Sequence, residues 1–191
     1  MRGARRAFIA AALAVLVAPA VADEAAAWKA LREGCHVALI RHASTMPGLG
    51  DPAGYRLDDC ATQRNLSDAG REEARRLGER FRKEGVVVEK VYTSPWCRCR
   101  DTAMEAFGVA EEWAALSSFF DDRGREPDLT GRVRNRIGTY STRRPRGTVA
   151  MVTHNVNIAA LTGISPGTGE VVVVRPDGCC GLRVVGRIRI G

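Results

Sequence analysis

The 191-residue chain is poor in aromatic side chains, with three Trp, three Tyr and five Phe. None is interleaved with a basic stripe, so the stacking platforms of nucleic-acid binders are not evident and no nucleic-acid partner is expected. Histidine is scarcer still: His36, His42 and His154 are the full complement. The chain has no C-x-x-C pair. Cys97-x-Cys99 and the adjacent Cys179-Cys180 lack the spacing of a zinc site or a thioredoxin motif. No internal repeat, low-complexity tract or long linker is present, which leaves a single domain as the economical reading.

The apolar run from Ala7 to Val17 is also short of the roughly 20 residues that span a bilayer. It follows a positive region (Arg2, Arg5, Arg6) and precedes Ala20-Val21-Ala22. This is the pattern of a secretory signal peptide, residues 1–22, cleaved after Ala22. The mature domain is then residues 23–191, periplasmic or secreted, with no stable membrane insertion. A retained anchor is the alternative. Arg5-Arg6-Ala7-Phe8-Ile9 also resembles a twin-arginine export signal. Formal net charge is +7. Residues 1–22 hold three Arg and no acid, so 26 basic against 22 acidic residues remain and the balance falls to +4. Six cysteines, all beyond residue 22, favour disulfides in an exported chain, with 15 pairings open.

Hydrophobic patterning alternates strands with helices. Ala25 to Glu33 reads as a helix closed by Gly34, and His36 to Ile40 as a buried strand running into Arg41-His42. A loop rich in Gly, Pro and Asp runs from Ala43 to about Gln63. Ser67 caps the next helix, which carries Ala74, Leu77 and Phe81 on one stripe. Val86 to Thr93 contains a second strand, followed by Ser94-Pro95 as a helix start and a helix through Arg98 toward Phe107. Glu111 to Asp122 is ambiguous, and Leu129 to Tyr140 reads as a helix. Val149 to Val152 is a third strand delivering Thr153-His154. Asn155 or Asn157 then caps a short helix ending at Gly163. Val171 to Val174 and Leu182 to Ile190 are late strands, with an Asp177-Gly178 turn between them. The expected fold is α/β, a three-layer sandwich with a mostly parallel central sheet flanked by helices.

Arg41-His42, the Ser94 to Arg98 turn and His154 each follow a strand. Open α/β sheets place ligands at the carboxyl ends of strands. Two arginines, two histidines and a helix N-terminus there suit a dianionic phosphoryl group: Arg offers a rigid donor fork, and His is a nucleophile or acid–base group near neutral pH. His36, within its strand, reads as structural.

The segments IRHAS (Ile40 to Ser44), SPWCRCRDTA (Ser94 to Ala103) and VTHN (Val152 to Asn155), with NLSDAGREEARRLG (Asn65 to Gly78) between the first two, resemble the hallmark segments of the histidine phosphatase superfamily, also called phosphoglycerate mutase-like. DCATQRNLS and WCRCRDTA resemble its small exported members, a group that includes enzymes acting on phosphorylated sugars of lipopolysaccharide core. The resemblance implies that His42 attacks phosphorus to form a phosphohistidine. Arg41, Arg98 and His154 would bind the phosphoryl oxygens, and water would complete hydrolysis of a phosphomonoester. It implies no metal and no other cofactor, and a small phosphorylated substrate such as a sugar phosphate. It prefers Arg98 to Arg100 by spacing.

The proton-donating acid is less defined. Asp122 is the first choice and Asp121 the alternative, with Glu126 nearby; each is also an ordinary loop acid. Asn155 stands where the acid phosphatase branch has Asp. Ser44 is a candidate phosphate donor, and Gln63 and Arg64 are candidates for the pocket mouth. Arg143, Arg144 and Arg146 read as a solvated basic connection. The resemblance further suggests that Cys60 pairs with Cys97 or Cys99, and Cys35 with Cys179 or Cys180. Competing readings are a phosphohistidine protein phosphatase and a non-catalytic phospholigand-binding protein.

Overall fold

The computed structural model describes residues 24–143, 145–178 and 181–190. The expected signal peptide, Arg144 and the Cys179-Cys180 pair lie outside the described residues. Strands β1 (Val37–Arg41), β2 (Val88–Thr93), β3 (Glu111–Glu112), β4 (Thr148–Thr153), β5 (Val171–Asp177) and β6 (Gly181–Ile188) form one sheet in the order β3-β2-β4-β1-β5-β6. The β2–β3, β2–β4 and β1–β4 pairings are parallel; β5 and β6 join as an antiparallel edge hairpin.

Successive side chains of β1 alternate between two cores, as strand geometry requires. Ala38 and Ile40 pack with Leu31 of α1 (Glu24–Glu33), Leu77 and Phe81 of α2 (Asp68–Lys83), and Ala103 of α3 (Cys97–Phe107). Val37 and Leu39 pack on the other face with Val133 and Ile137 of α4 (Glu126–Arg143) and Ile158 of α5 (Asn155–Thr162). A strand buried on both faces has no reason to alternate polar and apolar residues, which is why β1 and β4 read as continuous apolar runs. The result is the expected α/β sandwich of helix, sheet and helix layers, parallel at its centre.

Most element positions agree with the sequence pattern, including the Ser67 cap, whose hydroxyl accepts from the Gly70 amide at 3.1 Å. Three differ. Ser94-Pro95 does not start α3. The helix begins two residues later, with Trp96 as N-cap, while the Ser94 hydroxyl pairs with His154 at 2.9 Å. Neither Asn155 nor Asn157 caps α5. His154 holds the N-cap position, while the two Asn amides donate to Pro166 O and Ser117 O at 3.0 and 2.8 Å. Helix α4 starts at Glu126, ahead of the expected Leu129.

Helices α2 and α3 touch backbone to backbone at Gly78, where an added Cβ would lie 2.0 Å from Ala106 O and 2.7 Å from its carbonyl carbon. No side chain can swing away to relieve such a contact, so Gly78→Ala must separate the helices. We expect a loss of about 3 kcal/mol, in the range of core overpacking, read as a lowered urea midpoint; an unchanged midpoint would contradict this close approach.

Candidate active site

The pocket is assembled where three parallel strands end. Beyond the ladders the pairing continues for one more residue. The His42 amide donates to Thr153 O at 2.9 Å, the Ser94 amide to Val152 O at 2.9 Å and the Arg41 amide to Glu170 O at 3.1 Å. These bonds fix the backbone that carries Arg41-His42, Ser94 and His154. The loop after His42 is tied to α3 through Thr102, whose hydroxyl accepts from the Ala43 amide at 3.0 Å and donates to Arg98 O at 2.7 Å.

Arg41, His42, Arg98 and His154 together line one cavity of about 170 Å³. His42 and His154 are buried, with ring centroids 5.5 Å apart. His42 Nδ1 lies 2.8 Å from Ala43 O. A carbonyl can only accept, so Nδ1 carries the proton and Nε2 keeps its lone pair for the pocket. Burial, reinforced by the charges of Arg98, Arg41 and Arg64, pushes His42 down to about 3. The ring is therefore neutral at physiological pH, as a nucleophile must be. His154 Nε2 is 2.9 Å from the Ser94 hydroxyl and 3.5 Å from Cys99 Sγ. Ser94 Oγ also receives the Trp96 amide at 3.4 Å. Burial first, then His42, Arg98 and Arg41, hold His154 well below the ordinary histidine value.

The arginines share one arrangement. Arg41 Nη1 donates to Pro166 O at 2.8 Å, Arg64 Nη1 to Gly48 O at 2.6 Å, and Arg98 Nη1 to both oxygens of Asp51 at 2.7 and 3.0 Å. In all three the Nε is buried without a hydrogen-bond partner. A buried unpaired donor costs about 1–3 kcal/mol, more when charged. All three arginines line the same cavity, which concentrates positive charge there. Burial and the neighbouring cation also lower Arg41 and Arg64 from the usual arginine value, Arg64 acting on Arg41 and Arg98 on Arg64. A phosphoryl dianion among them would relieve that repulsion. The first residues of α5, Asn155 and Val156, also line the cavity and bring the positive end of a helix to it.

The remaining candidates separate. Asp121 is at the cavity lining; Asp122 is not, because its carboxylate accepts from the Gly124 amide at 3.1 Å. Glu126 begins α4 and is likewise not a lining residue. Ser44 is not brought to the lining either: its hydroxyl pairs with Thr168 at 2.9 Å and its amide donates to Glu73 at 2.8 Å. Arg64 lines the cavity. Gln63 is internal, its Oε1 accepting from the Cys97 amide at 3.0 Å and so completing the first turn of α3. Arg100 turns away to Glu112 at 3.4 Å. His36 bonds to Gly34 O at 2.7 Å, a structural role. Cys60 and Cys97 form a disulfide, stapling the loop to α3. Cys99 is a buried free thiol, pushed up to about 12 by burial. Cys35 is also free, its thiol directed to Pro145 O at 3.4 Å; the partners expected for it, Cys179 and Cys180, lie outside the described residues.

Sequence reasoning missed Asp51. Its carboxylate is 3% exposed and accepts from Arg98, from Trp96 Nε1 at 3.2 Å and from the Arg64 amide at 3.0 Å. Nothing within the Gly-Pro-rich loop distinguishes it from Asp58 or Asp59.

Residues 37–126 match the model of the histidine phosphatase superfamily (branch 1). The match takes in Arg41, His42, Asp51, Arg64 and Arg98 and ends before His154. No curated protein matches the chain. Among solved structures, the protein histidine phosphatase SixA complexed with tungstate is similar at 17% identity and a TM-score of 0.58, over 80% of this chain and 96% of that one. A mycobacterial glucosyl-3-phosphoglycerate phosphatase is similar at 17% identity and a TM-score of 0.58, over 78% and 96%. Its complex with inorganic phosphate is similar at 16% identity and a TM-score of 0.57, over 79% and 95%. Likeness at this identity establishes the fold, and the family model covers 90 of the 191 residues.

The histidine environment has a consequence for stability. A His42 held near 3 when folded and near 6.5 when unfolded costs nothing above about pH 6.5, where both states are neutral. As pH falls through the window from 6.5 to 3, the unfolded chain takes up a proton that the folded chain refuses. Stability then falls by about 1.4 kcal/mol per pH unit for this group alone, and His154 adds to the slope. Asp51, held below the usual carboxylate range, adds its own loss only below about pH 4. Urea unfolding of wild type and His42→Asn between pH 7 and 4.5 should show the variant's slope shallower by about one proton. Parallel slopes would mean that His42 titrates normally in the fold.

Proposed function

We propose that the chain is an exported phosphomonoesterase that passes a phosphoryl group from a small phosphorylated substrate to His42 and then to water. The observation that carries this reading is one cavity lined by Arg41, Arg64, Arg98 and His154 together with a neutral His42. In the first step His42 Nε2 forms a bond to phosphorus while the ester P–O bond breaks. The Nδ1–H bond to Ala43 O disperses the positive charge that develops on the ring. Arg41, Arg64, Arg98 and His154 hold the equatorial oxygens and stabilise the transferring group. The leaving alkoxide takes a proton from Asp121 or from solvent at the mouth. In the second step water attacks phosphorus, the N–P bond breaks and a proton goes to solvent. No step needs a metal or another cofactor. Export to the periplasm or medium follows from the basic, apolar and Ala20-Val21-Ala22 pattern of the first 22 residues. The similarity to a glucosyl-3-phosphoglycerate phosphatase favours a sugar phosphate as the substrate class.

A second reading, a phosphohistidine protein phosphatase, is favoured by one observation. Asp51 is the buried carboxylate at the cavity, and it is ion-paired and held ionised; Asp121 is exposed. A pocket short of a buried acid suits a leaving group that departs without strong protonation. The structural likeness to SixA points the same way.

The test is hydrolysis of an aryl phosphate in excess chelator. The expected result is chelator-resistant turnover that His42→Ala lowers by at least about a thousandfold. Phosphate binding without turnover on any ester would instead support a non-catalytic phospholigand-binding protein. Faster turnover of phosphohistidine peptide than of sugar phosphates would support the second reading.

A further inference from the structure

We infer that Asp51 is a positioning residue for phosphoryl transfer: its carboxylate fixes which edge of Arg98 faces the transferring group. This inference rests on the phosphoryl-transfer reading of the site. A guanidinium has two edges that can bind a pair of oxygens, and a free arginine can present either. Asp51 takes Arg98 Nη1 with both carboxylate oxygens, at 2.7 and 3.0 Å. The Nε of the same group is buried and has no hydrogen-bond partner, and Arg98 lines the cavity, so the carboxylate occupies one end of the guanidinium and leaves the other edge unclaimed. The pair is nearly sealed, at 6% and 3% side-chain exposure, so solvent does not compete for it.

The carboxylate is itself fixed. Trp96 Nε1 donates to Oδ2 at 3.2 Å and the Arg64 amide to Oδ1 at 3.0 Å. Glycines at 48 and 50, with φ of +138° and +70°, let the loop double back and present Asp51 inward. The same loop supplies Gly48 O to Arg64 Nη1 at 2.6 Å. One short segment therefore sets the orientation of two of the three pocket arginines, and Pro166 O sets the third. Asp51 is not the acid of the reaction. Arg98, Trp96 and the Arg64 amide all stabilise its ionised form, and its two oxygens are occupied by these donors.

The experiment compares Asp51→Asn and Asp51→Glu with wild type, by kcat and KM on an aryl phosphate and by calorimetric binding of inorganic phosphate and orthovanadate. Vanadate adopts the five-coordinate geometry of the transferring phosphoryl group, whereas phosphate does not. Its binding advantage over phosphate therefore reads the alignment of Arg98. We expect Asp51→Asn to remain folded by circular dichroism, to lose at least about thirtyfold in kcat, and to lose about tenfold of the vanadate preference. Asp51→Glu should recover part of both. If Asp51→Asn fails to fold, Trp96→Phe, which removes one donor to the same carboxylate, should lower the vanadate preference by about threefold. A folded Asp51→Asn, or a Trp96→Phe standing in for it, with kcat and vanadate preference within twofold of wild type would overturn the inference. Wild-type protein that binds both anions without turnover would sink the proposed function instead, and the binding ratio would still decide the role of Asp51.

Discussion

Gathering like charges in a dry cavity is unfavourable, and the architecture of this protein follows from how it is done. Three guanidinium groups and two imidazoles meet at the ends of β1, β2 and β4. Coulomb repulsion in a medium of low dielectric would scatter them. Two devices prevent that. Each arginine is tied at Nη1 to a protein oxygen: Pro166 O, Gly48 O or Asp51. The histidines give up their charge, held neutral by burial and by the arginines themselves. The pocket is thus a set of oriented donors beside two neutral imidazoles. Preorganisation of this kind lets electrostatic stabilisation act without reorganisation at the moment of transfer.

The loop from Ala43 to Asn65 carries much of that burden, and it has little secondary structure beyond a 3-10 turn at Cys60–Thr62. It is held by long-range bonds. The Cys60–Cys97 disulfide spans 37 residues and removes about 4 kcal/mol of loop-closure entropy from the unfolded chain on a chain-entropy account. Gln63 and Asp51 bond to the Cys97 amide and to Arg98, within one residue of each other on α3. Covalent, neutral and ionic links thus converge on the first turn of one helix. A small domain gains from this arrangement, because it replaces missing core around an otherwise irregular segment.

The legibility of the site in the sequence divides along the same line. His42, Arg41 and His154 were legible because each ends an apolar strand, and the strand is a local pattern. Arg98 was legible through its distance from Ser94-Pro95 and the family resemblance. Asp51 was not, since its significance lies in a partner 47 positions away and its own neighbourhood reads as an ordinary turn. Asp121 and Asp122 could not be ranked from sequence for a similar reason: which of two adjacent loop acids faces inward depends on a capping bond to Gly124. Ser44 looked like a phosphate donor by proximity in sequence, but Glu73 and Thr168 had claims on its amide and hydroxyl. The helix start lies at Trp96 instead of Ser94, and because the Trp96 side chain makes no capping bond, no local residue pattern marks it.

The distribution of carboxylates bears on chemistry as well as on stability. Glu73, Glu170 and Asp51 are all buried near the cavity or its supporting loops. Each is committed: Glu73 to the Ser44 amide, Glu170 to Arg187 and the Gly167 amide, Asp51 to Arg98. Asp51 and Glu170, both held below the usual carboxylate range by their hydrogen bonds to arginine and backbone donors despite burial, are unsuited to donating protons. Asp121 is exposed at the cavity lining and is the candidate acid of the proposed reaction. On that reading its reach depends on the substrate more than on the fold, and the phosphoryl half of the reaction is built into the scaffold. The leaving-group half is left to whatever molecule brings its own oxygen or nitrogen to that opening, which is how one fold can serve sugar phosphates in one protein and phosphohistidine in another.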